Sequence, residues 1–212
     1  TPFFLGVTLG AIMMGRIPPH VEGTFYNSFV QPWCNLFAFT TGIFLTLLFA
    51  WLAAIYLLGE SNDKQSYLTF AKTARILFVL LIASGLGVFM ASELHELNFF
   101  SRFIHSPVEI ICVVIATAVI PFLWQQIKRQ NILLSRFLAG LQTACILTGW
   151  FAIQFPVMVY LADGSHLTIW NSQAPERTMT LLVYALIAGI LLIFPAFAYL
   201  FKVFKFRQDK QQ

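Results

Sequence analysis

Charged side chains are scarce in this chain. They make up 10% of its 212 residues, whereas 58% of the residues are hydrophobic. A soluble domain carries about 25% charged residues. Residues 23–59, 76–92, 137–162 and 178–201 contain no Asp, Glu, Lys or Arg at all. Because a helix needs roughly 20 apolar residues to cross the hydrocarbon core of a bilayer, this shortage excludes a soluble domain and predicts a helical membrane protein.

Cysteine and histidine are also few, and neither is arranged as a metal site. Cys34, Cys112 and Cys145 lie in apolar runs at no metal or disulfide spacing, which favours core packing. The histidines all lie in connections between apolar runs: His20, His95, His105 and His166. A haem held within a bundle needs an axial ligand that projects from a helix. The sequence therefore predicts no catalytic, cofactor-binding or metal-binding residue on this chain.

Six apolar segments are present. The first, residues 2–17, is short, and the other five are residues 32–58, 73–92, 107–127, 133–161 and 178–201. We predict an all-α, polytopic transmembrane helical bundle with five full spans and a truncated N-terminal span. Because the chain opens at Thr1 inside an apolar run, we expect residues 1–212 to be a single transmembrane domain, the C-terminal part of a longer subunit.

Basic residues alternate in number between successive connections. Connections with one basic residue hold Arg16, Arg102 and Arg177, and they alternate with sets of three, three and four: Lys64, Lys72 and Arg75; Lys128, Arg129 and Arg136; Lys202, Lys205, Arg207 and Lys210. Cytoplasmic loops of membrane proteins are enriched in Lys and Arg. We therefore predict that the richer connections and the C-terminus face the cytoplasm. The basic residues flank apolar runs and form no stripe of the kind that binds nucleic acid.

Glu109 is the one acidic residue within a predicted span, two positions after Pro107. An ionisable side chain inside a membrane is costly and indicates a functional role, such as a proton relay. A carboxylate near a helix N-terminus is also favoured by the helix dipole. Two interpretations stay open. Glu109 caps its helix, or it takes part in proton transfer or contacts a lipid headgroup.

Proline and small residues predict where the helices begin, bend and pack. Pro32 and Pro107 are expected at helix starts, and Pro121, Pro156 and Pro195 are expected to kink their helices. Small residues four apart allow close helix packing in lipid. Such pairs are Gly6 with Gly10, Ala83 with Gly87, and Ala185 with Gly189.

An ordered series of short motifs resembles subunit II of the cytochrome bd-type quinol oxidases. The early motifs are Gly6-Val7-Thr8-Leu9-Gly10 with Gly15-Arg16-Ile17-Pro18, Phe25-Tyr26-Asn27-Ser28-Phe29, Pro32 with Gly42, and Tyr56-Leu57 with Gly59-Glu60. The late motifs are Ile146-Leu147-Thr148-Gly149 with Phe155-Pro156, Leu167-Thr168-Ile169-Trp170-Asn171 with Thr178-Met179, and Pro195, Tyr199 and Val203-Phe204. Departures from the family pattern include Gln31, Leu52 and Asn171.

The resemblance implies a specific function. Such oxidases oxidise quinol, reduce O₂ to water and generate proton-motive force in a bacterial inner membrane. The haems b and d belong to subunit I, so this chain is expected to be its haem-free partner in a heterodimer. Membrane lipid and a structural quinone are further expected partners. The alternative interpretation is a fragment of a secondary transporter, with a midplane site near a helix broken at Pro121 or Pro156.

Overall fold

The computed structural model describes residues 1–20, 23–61, 63–95, 97 and 106–208, the last eight by their backbone alone. Its helices are α1 (Pro2–Met13), α2 (Phe25–Phe29), α3 (Leu36–Leu57), α4 (Lys64–Leu94), α5 (Pro107–Lys128), α6 (Ile132–Gln154) and α7 (Glu176–Gln208). A 3-10 turn, Leu58–Glu60, follows α3, and two strands, β1 (Val157–Tyr160) and β2 (His166–Thr168), precede α7. Five of these helices are long and apolar enough to span a membrane, and α1 is a shorter apolar helix. The predicted all-α bundle is thereby confirmed.

The start of α3 differs from the prediction. Pro32 was expected to begin this helix, but the helix begins at Leu36 and Pro32 lies in the preceding turn. The N-cap is Asn35, whose side-chain oxygen accepts a hydrogen bond from the Ala38 N–H at 2.8 Å. Its amide also donates to the Pro32 carbonyl at 3.0 Å. A side-chain oxygen at the N-cap satisfies a helix N–H that would otherwise lack a partner, so Asn35 sets the boundary. Pro107 does begin its helix, as expected.

The start of α4 lies nine residues before the predicted segment, because a helix can continue past the apolar stretch that sequence alone detects. Asp63 is the N-cap and accepts a hydrogen bond from the Ser66 N–H at 3.0 Å. Hydrogen bonds from the Ser66 side chain and backbone hold the pKa of Asp63 below its ordinary 3.8. The first turns of α4 are therefore a polar, capped extension of a membrane span.

The end of α6 also corrects the sequence interpretation. The predicted segment ran to residue 161 with Pro156 as a kink, but α6 ends at Gln154 and the Phe155–Pro156 peptide bond is cis. A residue before proline is biased away from helical backbone, and Phe155 is extended. The chain then turns back in the antiparallel β1–β2 hairpin. Pro121 and Pro195 do lie inside their helices.

The closest helix pairing is between α1 and α3. A β-carbon placed on Gly10 lies 2.6 Å from the Cα of Ala38, and one placed on Gly6 lies 2.6 Å from the Thr41 carbonyl oxygen. Gly42 faces α1 in return, because a β-carbon there lies 2.8 Å from a methyl group of Val7. The predicted packing role of Gly6 and Gly10 is therefore confirmed: their missing side chains let the two backbones meet.

The main core lies between α3, α4, α5 and α6. Trp51 of α3 is completely buried, and its ring packs on Phe78 of α4, with ring centroids 5.7 Å apart. Phe78 in turn meets Trp124 of α5 edge to face at 5.7 Å. Leu123 of α5 and Ala139 of α6 complete the same apolar cluster. These side chains hold the four spans together.

Residues 169–212 form a second compact unit, separate from residues 1–168. Within it α7 begins at Glu176 with an acidic first turn and contains Pro195. The described part of α7 up to Leu200 is long and apolar enough to span a membrane.

Candidate functional site

One end of the first unit gathers connections that carry single basic residues. The N–H of Ala162, beside the hairpin, donates to the carbonyl of Ile17 at 2.9 Å. Burial, and secondly the charge of Arg16, lowers the pKa of His95 below its usual 6.5. The connection after α1, the end of α4 and the β1–β2 hairpin therefore lie together. We call this the hairpin end.

The opposite end gathers two connections that are rich in basic residues. Arg136, in the second turn of α6, forms an ion pair with Glu60 at 3.0 Å and donates to the Tyr56 carbonyl at 2.6 Å. The Tyr67 hydroxyl of α4 donates to the carbonyl of Ile127, near the end of α5, at 2.7 Å. The connections after α3 and after α5 thus share one end, which we call the basic end.

The grouping agrees with the predicted alternation of basic residues within residues 1–168. Arg16 lies at the hairpin end, whereas Lys64, Lys128 and Arg136 lie at the basic end. Arg102 lies outside the described residues, as do His105 and Lys210. Hydrogen bonds and electrostatic contacts therefore bring together the loops that charge alone assigns to one side of a bilayer.

The histidines and cysteines are dispersed. His20 and His166 are exposed, and His95 is half-buried at the end of α4. Cys145 is buried, but Cys34 is exposed in the turn before α3, so the prediction of core packing is wrong for Cys34. It failed because that apolar run begins before the helix does. Among the described residues, no three His, Cys, Asp or Glu side chains approach closely enough to hold a metal ion.

Glu109 is completely buried in the first turn of α5. Its sequence, Ser106-Pro107-Val108-Glu109, has the spacing of a capping box, in which the acid accepts from the N-cap N–H. The Ser106 hydroxyl lies near the carboxyl group, yet neither carboxylate oxygen has a hydrogen-bond partner that meets the distance and angle limits among the described residues. A buried, unsatisfied ionisable group is costly. The first-turn position of Glu109 agrees with stabilisation by the helix dipole, and its burial agrees with a functional role, so both interpretations stay open.

A cleft of about 330 Å³ opens between α3–α4 and α5–α6. Its lining is almost entirely apolar and includes Phe44, Phe89, Cys112 and Ile153. Gln142 of α6 also lines the cleft; it is 4% exposed, and its side-chain oxygen has no hydrogen-bond partner among the residues that the structure describes. Ligand pockets commonly have this character, a large apolar wall with few polar groups.

Sequence reasoning missed Gln142. The available signal was a glutamine near the middle of an apolar segment, since residues 137–149 hold no charged side chain. An amide in hydrocarbon needs a hydrogen-bond partner, so its position already indicated a contact. The sequence could not indicate that α6 turns Gln142 towards a cleft, because that depends on the packing of four helices.

The comparison with protein families agrees with this arrangement. The family model for cytochrome bd terminal oxidase subunit II matches residues 1–204, essentially the whole chain. No curated protein matches the chain. The match extends over α1 to α6, the hairpin and α7 as far as residue 204. This chain is a multi-pass membrane protein that belongs to the cytochrome bd terminal oxidase subunit II family.

Proposed function

We propose that this chain is the haem-free subunit II of a quinol:O₂ oxidase and stabilises the haem-bearing subunit I. Family membership supports this proposal, since a subunit II acts beside a subunit I. So does the position of the three described histidines, His20, His95 and His166, none of which lies within a helix as an inward axial ligand would. In this proposal haems b and d are bound by the partner, and the chain supplies apolar helix surface that shields them.

Long exposed apolar surfaces are the observation that carries the proposal. The faces of α4 and α5 present large side chains such as Leu86, Met90 and Val114, each more than half exposed. Apolar surface of this extent is covered by lipid or by a partner helix. We place the basic end and the C-terminus in the cytoplasm of a bacterial inner membrane, because basic residues are retained on that side. Quinol oxidation there would contribute to proton-motive force.

Co-purification tests the assignment. The chain should be affinity-tagged and expressed with its neighbouring subunit. We expect the purified complex to show the visible absorbance bands of haems b and d in their reduced state, and these bands should disappear when the partner is omitted. An intact but colourless complex contradicts the proposal. A porphyrin that remains ligated by this polypeptide alone contradicts the haem-free assignment. A secondary transporter is not retained as an alternative, since the family match is to an oxidase and Pro156 follows the end of α6.

The proposal includes a role for Glu109 in proton transfer at the hairpin end. Its support is the buried carboxyl group one turn inside a span. Glu109→Gln should slow quinol oxidase turnover about a hundredfold while leaving the haem content unchanged, since a positioned proton-transfer group contributes about 100-fold or more. Glu176→Gln is the matched control, because Glu176 is also in the first turn of a span but is exposed. Equal turnover in both variants removes Glu109 from the proton path.

The cleft at Gln142 is the proposed place for a structural quinone. A quinol hydroxyl can donate to the unpartnered side-chain oxygen of Gln142, and the apolar walls suit an isoprenoid tail. Gln142→Leu should lower the quinone extracted per mole of oxidase when the complex is washed in detergent. Unchanged quinone content places any structural quinone elsewhere.

A further inference from the structure

A second cavity lies at the basic end and differs in chemistry from the apolar cleft. Its volume is about 350 Å³, and it lies between the connection after α3 and the one after α5. The lining residues are Leu58, Ser61, Asp63, Lys64, Tyr67, Gln130 and Ile132. Polar groups form most of this lining, with apolar side chains at Leu58 and Ile132. A cavity of this kind suits a charged group attached to an apolar body.

The acidic groups around this cavity already have partners. Glu60 pairs with Arg136 at 3.0 Å, and Asp63 accepts the Ser66 N–H as the cap of α4. Lys64, by contrast, pairs with no acidic side chain in the described part of the chain, and neither do Lys128 and Arg129 beside Gln130. Asp63 keeps its negative charge, because its partner is a neutral N–H, and that charge offsets the charge of Lys64. The positive surplus beside the cavity therefore comes from Lys128 and Arg129.

Gln130 occupies an unusual backbone conformation beside the cavity. Its φ is +55°, and it is the one non-glycine residue with positive φ in the described part of the chain. It follows α5, where its N–H donates to the Ile127 carbonyl and the Asn131 N–H donates to the Gln126 carbonyl. Glycine is the usual residue at such a helix end. The chain instead has a glutamine there, and this residue lines the cavity.

The cavity lies at the level of lipid headgroups. Leu58 follows the last residue of α3, whose 22 residues correspond to about one hydrocarbon thickness. Lys128 ends α5 at the same end of the bundle. Further towards the membrane, the Arg75 guanidinium lies over the Trp124 ring at 5.7 Å from its centroid, a pairing that suits the interface. The cavity thus adjoins the edge of the hydrocarbon core.

We propose that this cavity binds the phosphate headgroup of an anionic phospholipid, with Lys64 and Gln130 as its polar contacts and Leu58 and Ile132 against its glycerol and first methylene groups. Basic pockets between helices at the cytoplasmic surface recognise such headgroups. Lys64 supplies three donors and the charge, and the Gln130 amide supplies directed donors. Lys128 and Arg129 add to the attraction from the neighbouring helix end.

The test uses the purified two-subunit oxidase after delipidation, titrated with short-chain phosphatidylglycerol and followed by native mass spectrometry. Lys64→Gln should weaken phosphatidylglycerol binding about fivefold, the effect of one Lys near an anionic lipid surface. Phosphatidylcholine binding should change little. Lys72→Gln is the matched control, because Lys72 is an exposed lysine of the same helix that does not line the cavity.

Gln130→Gly separates loss of the site from loss of the fold. Glycine relaxes the positive φ, so the thermal midpoint of the complex should not fall, while phosphatidylglycerol binding weakens. Equal weakening in Lys64→Gln and Lys72→Gln reflects general surface charge and overturns the proposal. Full displacement of the lipid by excess inorganic phosphate assigns the cavity to a free anion and likewise overturns it.

Discussion

The same small-residue spacing has opposite outcomes in different helices of this protein. In α1, Gly6 and Gly10 lie directly on the backbone of α3, and a β-carbon on either would lie within 2.6 Å of it. In α4, a β-carbon on Gly87 meets no described residue within 4 Å, and within its own unit the same holds for Gly189 of α7. The predicted packing role is thus observed for Gly6 and Gly10, whereas Gly87 and Gly189 have no such close contact in the described residues.

The difference lies in what faces each glycine. Opposite α1, the helix α3 presents Ala38 and Gly42, which are themselves small, so both backbones can approach. A small residue only permits close packing. The attraction comes from contact along the whole facing surface, which needs a second surface of matching shape.

Substitution of Gly10 should give the largest effect. Gly10→Val places a branched side chain against the Ala38 backbone and should cost about 3 kcal/mol, the upper range for overpacking. The measurement is the thermal midpoint and yield of the purified oxidase. A normal midpoint would show that α1 does not pack on α3 as described.

Gly87→Val is the matched substitution on the open surface. We expect a change within about 0.5 kcal/mol, as for substitutions away from packed contacts. A loss comparable to that of Gly10→Val would identify this face of α4 as the contact with another subunit, and the contrast between α1 and α4 would then apply only to the single chain.

Asn35→Ala should have an intermediate effect on thermal stability, because Asn35 caps α3, the helix on which α1 packs. It removes the cap of α3 and the bond to the Pro32 carbonyl, and N-cap substitutions cost about 1 kcal/mol. Asn35→Ser keeps a capping oxygen and should recover most of the loss. If Ala and Ser behave alike in thermal unfolding, the cap is not what fixes the start of α3.

The smallest effect concerns the hairpin end, where α1 exits beside α4. The folded pKa of His95 lies below its unfolded value of 6.5, so below that pH the unfolded chain binds more protons than the folded chain. Stability should therefore fall slightly as the pH drops through 6.5, and it should be unaffected at higher pH. In thermal unfolding between pH 7 and 5, the stability of the His95→Gln variant should depend less on pH than that of the unsubstituted protein. An equal loss of stability in the two proteins would contradict this prediction.

Several boundaries could not be predicted because local hydrogen bonds decided them. The apolar segments correctly located five candidate spans, but Asn35 rather than Pro32 starts α3, and Asp63 starts α4 well before its apolar stretch. Likewise the hairpin after Pro156 replaced the last turns of a predicted helix. Hydropathy reports which residues tolerate lipid, whereas caps and turns depend on individual donors and acceptors.

The candidate sites were predictable only in part. Glu109 was identifiable as an acid within a span, but its lack of hydrogen bonds emerged only from the folded geometry. Gln142 and the cavity at Lys64 and Gln130 were not identified, because each combines residues from helices distant in sequence. Neither the composition nor the spacing of motifs shows that these residues lie close together in the folded chain.

The sequence by itself determined that this protein has five segments long and apolar enough to span a membrane and that its basic connections fall into two groups. Both follow from the cost of placing charge in hydrocarbon, which acts on each segment separately. Only the tertiary structure decided which glycines pack, which polar groups stay unsatisfied and where cavities form. Those properties arise between helices, from the shape of two surfaces that meet.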